Sequence, residues 1–444
     1  MRLALLALAL AAAAPARASA PPALDALASA LAREIGPPAE GRRALLLEVD
    51  ARAPSLGAPL ETALSGALTG AGYAVTPARG GGDVEGHARA TGQDWLLRVR
   101  AGLVPGRREL AAVGELIPAW ASFFLQRQPE ARAIPPRVVQ ARTAADPETL
   151  LLAREVAPAG APFATVRPLA RVPGRVLALA VGEPGEPGRA AIVAVTDRGV
   201  LVLGPRGEPV AERAVDPAVL QPVRDPAATV AIGDFGGGRI ALQRAGALRG
   251  EVLALSRDRL DAVGTLDAAP LCAGDAGRLF GAFEPGTGVL RDRLSLLVDP
   301  GAPVRSGRAL YGAACAPRGG RFAHAVLGTD LALSLLGPDL APVSPAAPLT
   351  TGCGFALADL DGDGVAELVA SSADPSAPDA IRVLALPSGR ALPIQAPAVA
   401  GALLAGAAGD LTGDGVDDAV LAAVAPDGTA TELLLVTSDP REAP

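Results

Sequence analysis

Residues 355–372, FALADLDGDGVAELVASS, and residues 405–424, AGAAGDLTGDGVDDAVLAAV, are near-copies of each other. Each runs from an apolar lead through D-x-[D/T]-G-D-G-V-x-[E/D] into an apolar exit. The leads and exits have strand length, and the paired glycines between them mark a tight turn. The first acids, Asp359 and Asp410, stand 51 residues apart. A repeat of that length signals stacked supersecondary units.

Weaker copies extend the register towards the N-terminus. Glu183, Asp234, Asp275 and Ala316 hold the corresponding position in LAVGEPGEPGRAAIVAV, VAIGDFGGGRIALQRAG, CAGDAGRLFGAF and CAPRGGRFAHAV, at steps of 41 to 51 residues. Steps of about 40–50 residues suit propeller blades of four short strands. The runs between anchors, such as GVLVLGPRGEPV and AIRVLALPSGRAL, are too short and too often broken by Gly and Pro for helices. Six anchors predict a mainly β fold with a six-bladed β-propeller over 160–444, and seven blades stay open because a blade without a recognisable loop goes uncounted. FATVRPLARV, 163–172, precedes the first anchor and is expected to complete the last blade and close the ring.

Residues 21–150 read as a small α/β domain. Leu24, Leu27, Ala28, Leu31 and Ile35 recur at helical spacing until Gly36-Pro37-Pro38 stops the pattern. RALLLEVD, 43–50, is a strand; Leu60, Leu64 and Leu68 lie on one face of a second helix, which Ser55 is placed to cap. Strands follow at 73–75, 94–101 and 109–117, with a short helix near 84–91. Trp120, Phe123 and Phe124 read as packing residues, and Pro135 through Pro147 as the exit from the domain.

The two strong segments resemble FG-GAP/VCBS repeats, the blade motif of the integrin α-chain N-terminal β-propeller. The resemblance implies a propeller with Ca²⁺ in interstrand loops and a role in adhesion or protein interaction. In the first domain, GALTGAGYAV and ARATGQDWLLRVRAG resemble the small periplasmic α/β domains of the TolB N-terminal and curli-secretion type. A small α/β domain followed by a propeller is also the TolB layout, although the blade motif here differs from that family's, and function does not follow from fold.

The chemistry of the two loops points the same way. Ca²⁺ takes roughly six to eight oxygen ligands at about 2.3–2.6 Å. In the first loop Asp359, Asp361 and Asp363 alternate, with the carbonyl of Val365 and the carboxylate of Glu367 to follow. In the second the set is Asp410, Thr412, Asp414, the carbonyl of Val416, and Asp418. Gly362, Gly364, Gly413 and Gly415 permit the sharp wrap. Thr412 replaces an acid, so the second loop is expected to bind more weakly. The competing reading of both loops is a solvated Asp-Gly turn. An EF-hand is excluded, because position 12 is Ala370 or Leu421 and the flanks are strands. The loops at Asp234 and Asp275 keep too few oxygens and are expected to hold the turn without the ion.

Catalytic sets are absent from the sequence. His87 and His324 are the only imidazoles and read as packing or surface residues; G-x-S-x-G, P-loop and H-E-x-x-H patterns do not occur. Cys272, Cys315 and Cys353 lie just before successive anchors, which leaves Cys272–Cys315, Cys315–Cys353 or buried thiols open, with at least one thiol unpaired in a monomer. All 40 basic residues are Arg and the net charge is -7, which argues against a nucleic-acid partner. The excess acid lies beyond residue 157. Residues 1–20 read as a signal peptide, with Arg2, the apolar run Leu3–Ala14 and a cut after Ala20. No later run reaches the roughly 18–20 apolar residues of a membrane span.

Together these features predict a periplasmic or extracellular, calcium-stabilised, non-enzymatic propeller that binds a protein or polysaccharide. The rivals are a polysaccharide lyase or hydrolase, with acids and Arg around the central channel, and a Tol-like cell-envelope component.

Overall fold

The computed structural model describes residues 21–38, 43–78, 83–104, 107–119, 136–154, 160–185, 187–215, 220–233, 238–296, 303–345, 347–374 and 378–438. The stretch 1–20, Trp120, Phe123, Phe124 and Asp234 lie outside those residues. The chain divides into two compact units, 1–101 with 111–149, and 102–110 with 150–444.

In the first unit, α1 (Pro22–Ile35) buries Leu24, Leu27, Ala28, Leu31 and Ile35, the five positions that helical spacing singles out. The sheet has the order β2-β1-β3-β4-β5, with β1 (Ala44–Ala51), β2 (Ala74–Pro77), β3 (Trp95–Leu103), β4 (Glu109–Pro118) and β5 (Arg137–Ala144). β1 runs parallel to both β2 and β3. Between β1 and β2, α2 (Pro54–Gly70) buries Leu56, Leu60, Leu64 and Leu68.

Two local expectations are corrected. Ser55 does not cap α2: the helix starts at Pro54, whose fixed φ and missing N–H suit the first helical position. The presumed exit segment contains β5, an outermost strand that buries Val139 and Ala141, followed by α3 (Pro147–Ala153). The two buried residues of β5 are separated by Gln140 and the adjacent Val138 is exposed, so its signal is weak next to two prolines.

Among the described residues the second unit is a β-propeller of five blades. The first has β7 (Val176–Gly182), β8 (Ala191–Thr196), β9 (Gly199–Leu203) and β10 (Pro209–Ala214). The second has β11 (Ala228–Gly233), β12 (Arg239–Arg244), β13 (Gly250–Ser256) and β14 (Arg259–Leu266). The third joins β19 (Leu310–Cys315), β20 (His324–Gly328), β21 (Ala332–Leu336) and β22 (Pro342–Val343), with β23 (Leu349–Thr350) also pairing β21. The fourth joins β24 (Phe355–Ala358), β25 (Glu367–Ala370), β26 (Arg382–Ala385) and β27 (Arg390–Ala391). The fifth has the order β28-β6-β31-β30-β29, with β6 (Ala164–Pro173), β28 (Ile394–Gln395), β29 (Ala402–Gly409), β30 (Asp418–Val424) and β31 (Ala430–Thr437). β6 pairs antiparallel with β31 from Thr165↔Thr437 to Pro173↔Ala430, so the segment before the first blade does complete the last.

The expectation of six or seven blades is therefore corrected to five. Between the second and third blades the chain makes two separate ladders, β15 (Ala269–Gly274) with β16 (Gly277–Gly281), and β17 (Arg293–Leu294) with β18 (Val304–Arg305). Proline cannot donate to a ladder, and glycine weakens a strand interior. Among the described residues, Pro285, Gly286, Gly288 and Pro303 interrupt the stretch that would supply longer outer strands.

Separate apolar cores lie between neighbouring sheets, for example around Leu357 and Leu335, around Val369 and Leu434, and around Ile192 and Leu435. A blade is covered on both faces, which explains why β8 and β30 are buried at every residue and read as apolar runs apart from Thr196 and Asp418 at their ends. Cys272 and Cys315 form a disulfide that links β15 to β19, and Cys353 is an exposed thiol.

Two outcomes follow. Leu433→Ala, at a fully buried position in β31, is expected to cost about 2–5 kcal/mol in denaturant unfolding. The folded, unreduced protein is expected to react with one equivalent of maleimide, at Cys353; two or three equivalents contradict the pairing.

Candidate metal centre

The described anchors occupy equivalent places in the fold: Glu183, Asp275, Ala316, Asp359 and Asp410 all lie between the first and second strands of a ladder. The first strong loop joins β24 to β25 and the second joins β29 to β30. Gly362, Gly364, Gly413 and Gly415 have φ between 75° and 87°, a region that glycine enters without strain.

In the first loop each aspartate binds the loop's own backbone. Gly364 N donates to Asp359 Oδ2 at 3.1 Å, Asp363 N to Asp361 Oδ1 at 3.1 Å, and Val365 N to Asp363 Oδ1 at 2.7 Å. These bonds gather the trio, so that one oxygen from each of Asp359, Asp361 and Asp363 lies within 4.8 Å of the others. Asp359 is 4% exposed, and its Oδ1 is buried without a hydrogen-bond partner. Asp361 and Asp363 are exposed and leave the outer side of the loop open. Glu367 is buried and accepts from Leu360 N at 3.0 Å. Burial, with the charges of Asp361, Asp359 and Asp363, pushes its carboxyl up to about 8. Val365 is half-buried.

The second loop is arranged differently. Asp410, Thr412, Asp414, Val416 and Asp418 are all buried. Asp410 Oδ1 accepts from Gly413 N at 2.8 Å, while Oδ2 accepts from Gly415 N at 3.0 Å and from Arg108 Nε at 3.1 Å. Asp414 Oδ1 accepts from Val416 N at 3.0 Å, and Asp418 Oδ2 from Leu411 N and Thr412 N. Burial raises the pKa of Asp410, opposed by Arg108, and raises that of Asp418 well above the usual carboxylate range, reinforced by Asp414. Among the described residues these acids do not form a trio of the first loop's closeness.

Several participants were not singled out from the sequence. Asp417 locks the two loops together: Asp359 N donates to Asp417 Oδ2, and Asp417 N to Asp359 O, each at 3.1 Å. Arg318 Nε lies 3.3 Å from Asp417 Oδ1 as an ion pair. Burial still pushes Asp417 up to about 7. Arg154 donates to the carbonyl of Asp361 at 2.5 Å and to that of Leu360 at 3.5 Å. The double Asp of GVDDA was the one available signal, since the arginines come from distant positions. The Asp275 side chain is exposed, and its backbone N donates to Pro317 O at 2.8 Å.

The central channel has small walls. Ala180, Ala231, Ala273, Ala313 and Gly406 line a cavity of about 40 Å³, and Val230, Tyr311 and Phe355 are among those lining another of about 80 Å³. A Cβ on Gly406 would stand 2.4 Å from Phe355 O, so only glycine lets these strands converge. No acid or arginine lines either cavity among the described residues. His324 is fully buried in β20 beside Cys315 Sγ at 3.3 Å, and burial lowers its pKa to about 4.

No known protein family matches the chain, and no curated protein does. Among solved structures it is similar to TolB from Acinetobacter baumannii, at 11% identity and a TM-score of 0.35, over 90% of this chain and 94% of that one. The Pan2 WD40 domain of Neurospora crassa is similar at 10% identity and 0.35, over 63% and 96%. So is BBS1N in complex with ARL6DN, at 10% and 0.35, over 78% and 92%.

The raised acids set a direction for pH. Glu367 and Asp417 keep their protons in the folded chain at pH values where the unfolded chain has lost them. The stability this allows is complete below the ordinary carboxylate range and is lost as pH rises through about 7 and about 8. In EGTA the melting temperature is expected to rise on acidification from about pH 8 to about pH 5.5. Glu367→Gln is expected to raise it at the alkaline end and flatten the slope. Scanning calorimetry across that interval checks both.

Proposed function

We propose that the second unit is a calcium-fastened β-propeller that acts as a binding module for a protein or polysaccharide partner outside the cytoplasm. The observation that carries the metal assignment is the buried, unpartnered Oδ1 of Asp359 beside the gathered oxygens of Asp361 and Asp363. A buried carboxylate oxygen without a partner is costly, and a hard divalent cation answers it with the donor type it prefers. Asp359, Asp361, Asp363 and Glu367 would hold the ion, with the carbonyl of Val365 completing the set. Bound there, Ca²⁺ neutralises crowded acids and ties the β24–β25 turn to the neighbouring loop through Asp417. Its part is structural.

The absence of charged groups around the described channel favours a binding module over a lyase or hydrolase. An open groove of about 730 Å³, at the other end of the strands from the aspartate loops, offers a contact surface. It is lined by Arg175, Asp374, Val399, Leu403 and Pro426 among others. The Cys272–Cys315 disulfide fits an oxidising compartment. The resemblance of the loops to FG-GAP/VCBS repeats supports the same reading.

Calorimetric melting tests the proposal. EGTA is expected to lower the melting temperature and added Ca²⁺ to restore it. Asp361→Ala with Asp363→Ala is expected to abolish the response to both. A melting temperature indifferent to chelator and calcium sinks the metal assignment.

A further inference from the structure

We propose that Arg108 is the resident cation of the second loop, and that the chain binds one Ca²⁺, at the first loop, instead of two. This rests on the reading of the first loop given above. Asp359 and Asp410 occupy equivalent positions, so their surroundings compare directly. Asp359 keeps one oxygen without a partner, whereas both oxygens of Asp410 are engaged. One of them takes the guanidinium of Arg108 at 3.1 Å. Arg108 Nε also lies 4.0 Å from Glu183 Oε1, so it stands between the first turn of the ring and the last.

The backbone closes the same place. A Cβ on Gly413 would stand 2.5 Å from Arg107 O, and one on Gly415 would stand 2.8 Å from the Leu150 side chain. The second loop is therefore covered by Arg107 and Leu150, while the first exposes Asp361 and Asp363. A buried hydroxyl remains at Thr412 Oγ1, without a partner. It marks a ligand position that the arginine does not satisfy. Removing the guanidinium vacates the Asp410 side of the loop and leaves Asp410, Thr412, Asp414 and Asp418 as an oxygen set of the kind Ca²⁺ takes. A tethered cation costs no dissociation equilibrium, so the second loop stays neutralised in calcium-free medium.

Calorimetric titration of Ca²⁺ into the full chain, first stripped with chelator, tests the assignment. The unaltered chain is expected to bind one ion and Arg108→Met two. Asp410→Asn is expected to leave the first number at one and to reduce the second from two to one. Asp361→Ala with Asp363→Ala is expected to bind none, and one when Arg108→Met is added. Two ions on the unaltered chain, one of them lost with Asp410→Asn, overturn the proposal. A cooperatively melting Arg108→Met that gains no ion overturns it as well; Arg108→Gln replaces that variant if it fails to fold. An unaltered chain that binds none, while Arg108→Met binds one, overturns the first-loop reading and supports Arg108 as the second loop's cation.

Discussion

The antiparallel pairing of β6 with β31 is the constraint on which the propeller depends. Each interblade core needs two sheets, so an open ring would leave the outer faces of its first and last blades uncovered. β6 stands before the first blade in sequence, yet it lies beside β31 in the fifth. It thereby binds the two ends of the unit into one sheet. The core around Val172, Ile192 and Leu435 spans the resulting seam, and its residues come from both ends of the unit. Backbone pairing and apolar burial both supply the closure, and neither acts on the other blades alone.

A second constraint follows from the closed ring. Turns between the first and second strands of successive ladders are brought side by side. Acids that are harmless in separate turns become neighbours, as Asp359 and Asp417 do, and burial deprives them of water. The described structure answers this charge in three ways. Backbone N–H groups bind most of the carboxylates, arginines at 108 and 318 approach two of them, and Glu367 is held protonated well above its ordinary range. The first loop retains an unanswered oxygen at Asp359, and it is the loop whose outer side is open.

Legibility differed with the range of the interaction. The face of α1, the positive-φ glycines and the aspartate spacing were readable, because each depends on residues a few positions apart. The strands of the propeller were readable through apolar runs and turns, and the closure by β6 through its position before the first anchor. Five blades were not distinguishable from six in the sequence. The turn at Asp275 has the sequence of a blade hairpin, but outer strands depend on whether the residues that follow can pair, and Pro285, Gly286 and Gly288 break the described stretch after β16. β5 was missed because its two buried residues, Val139 and Ala141, form no run.

The candidate site divides along the same line. By itself the sequence determined which residues carry the carboxylates and that the glycines let them wrap, since a turn's geometry is set by its own φ and ψ. Only the tertiary structure decided which carboxylates meet an arginine. The loops at Asp359 and Asp410 have nearly the same local chemistry. They differ in one local bond, from Gly413 N to Asp410 Oδ1, and in Arg108, 302 residues away along the chain. A Coulomb interaction acts through distance in space, and that distance is set by the closed ring rather than by the repeat.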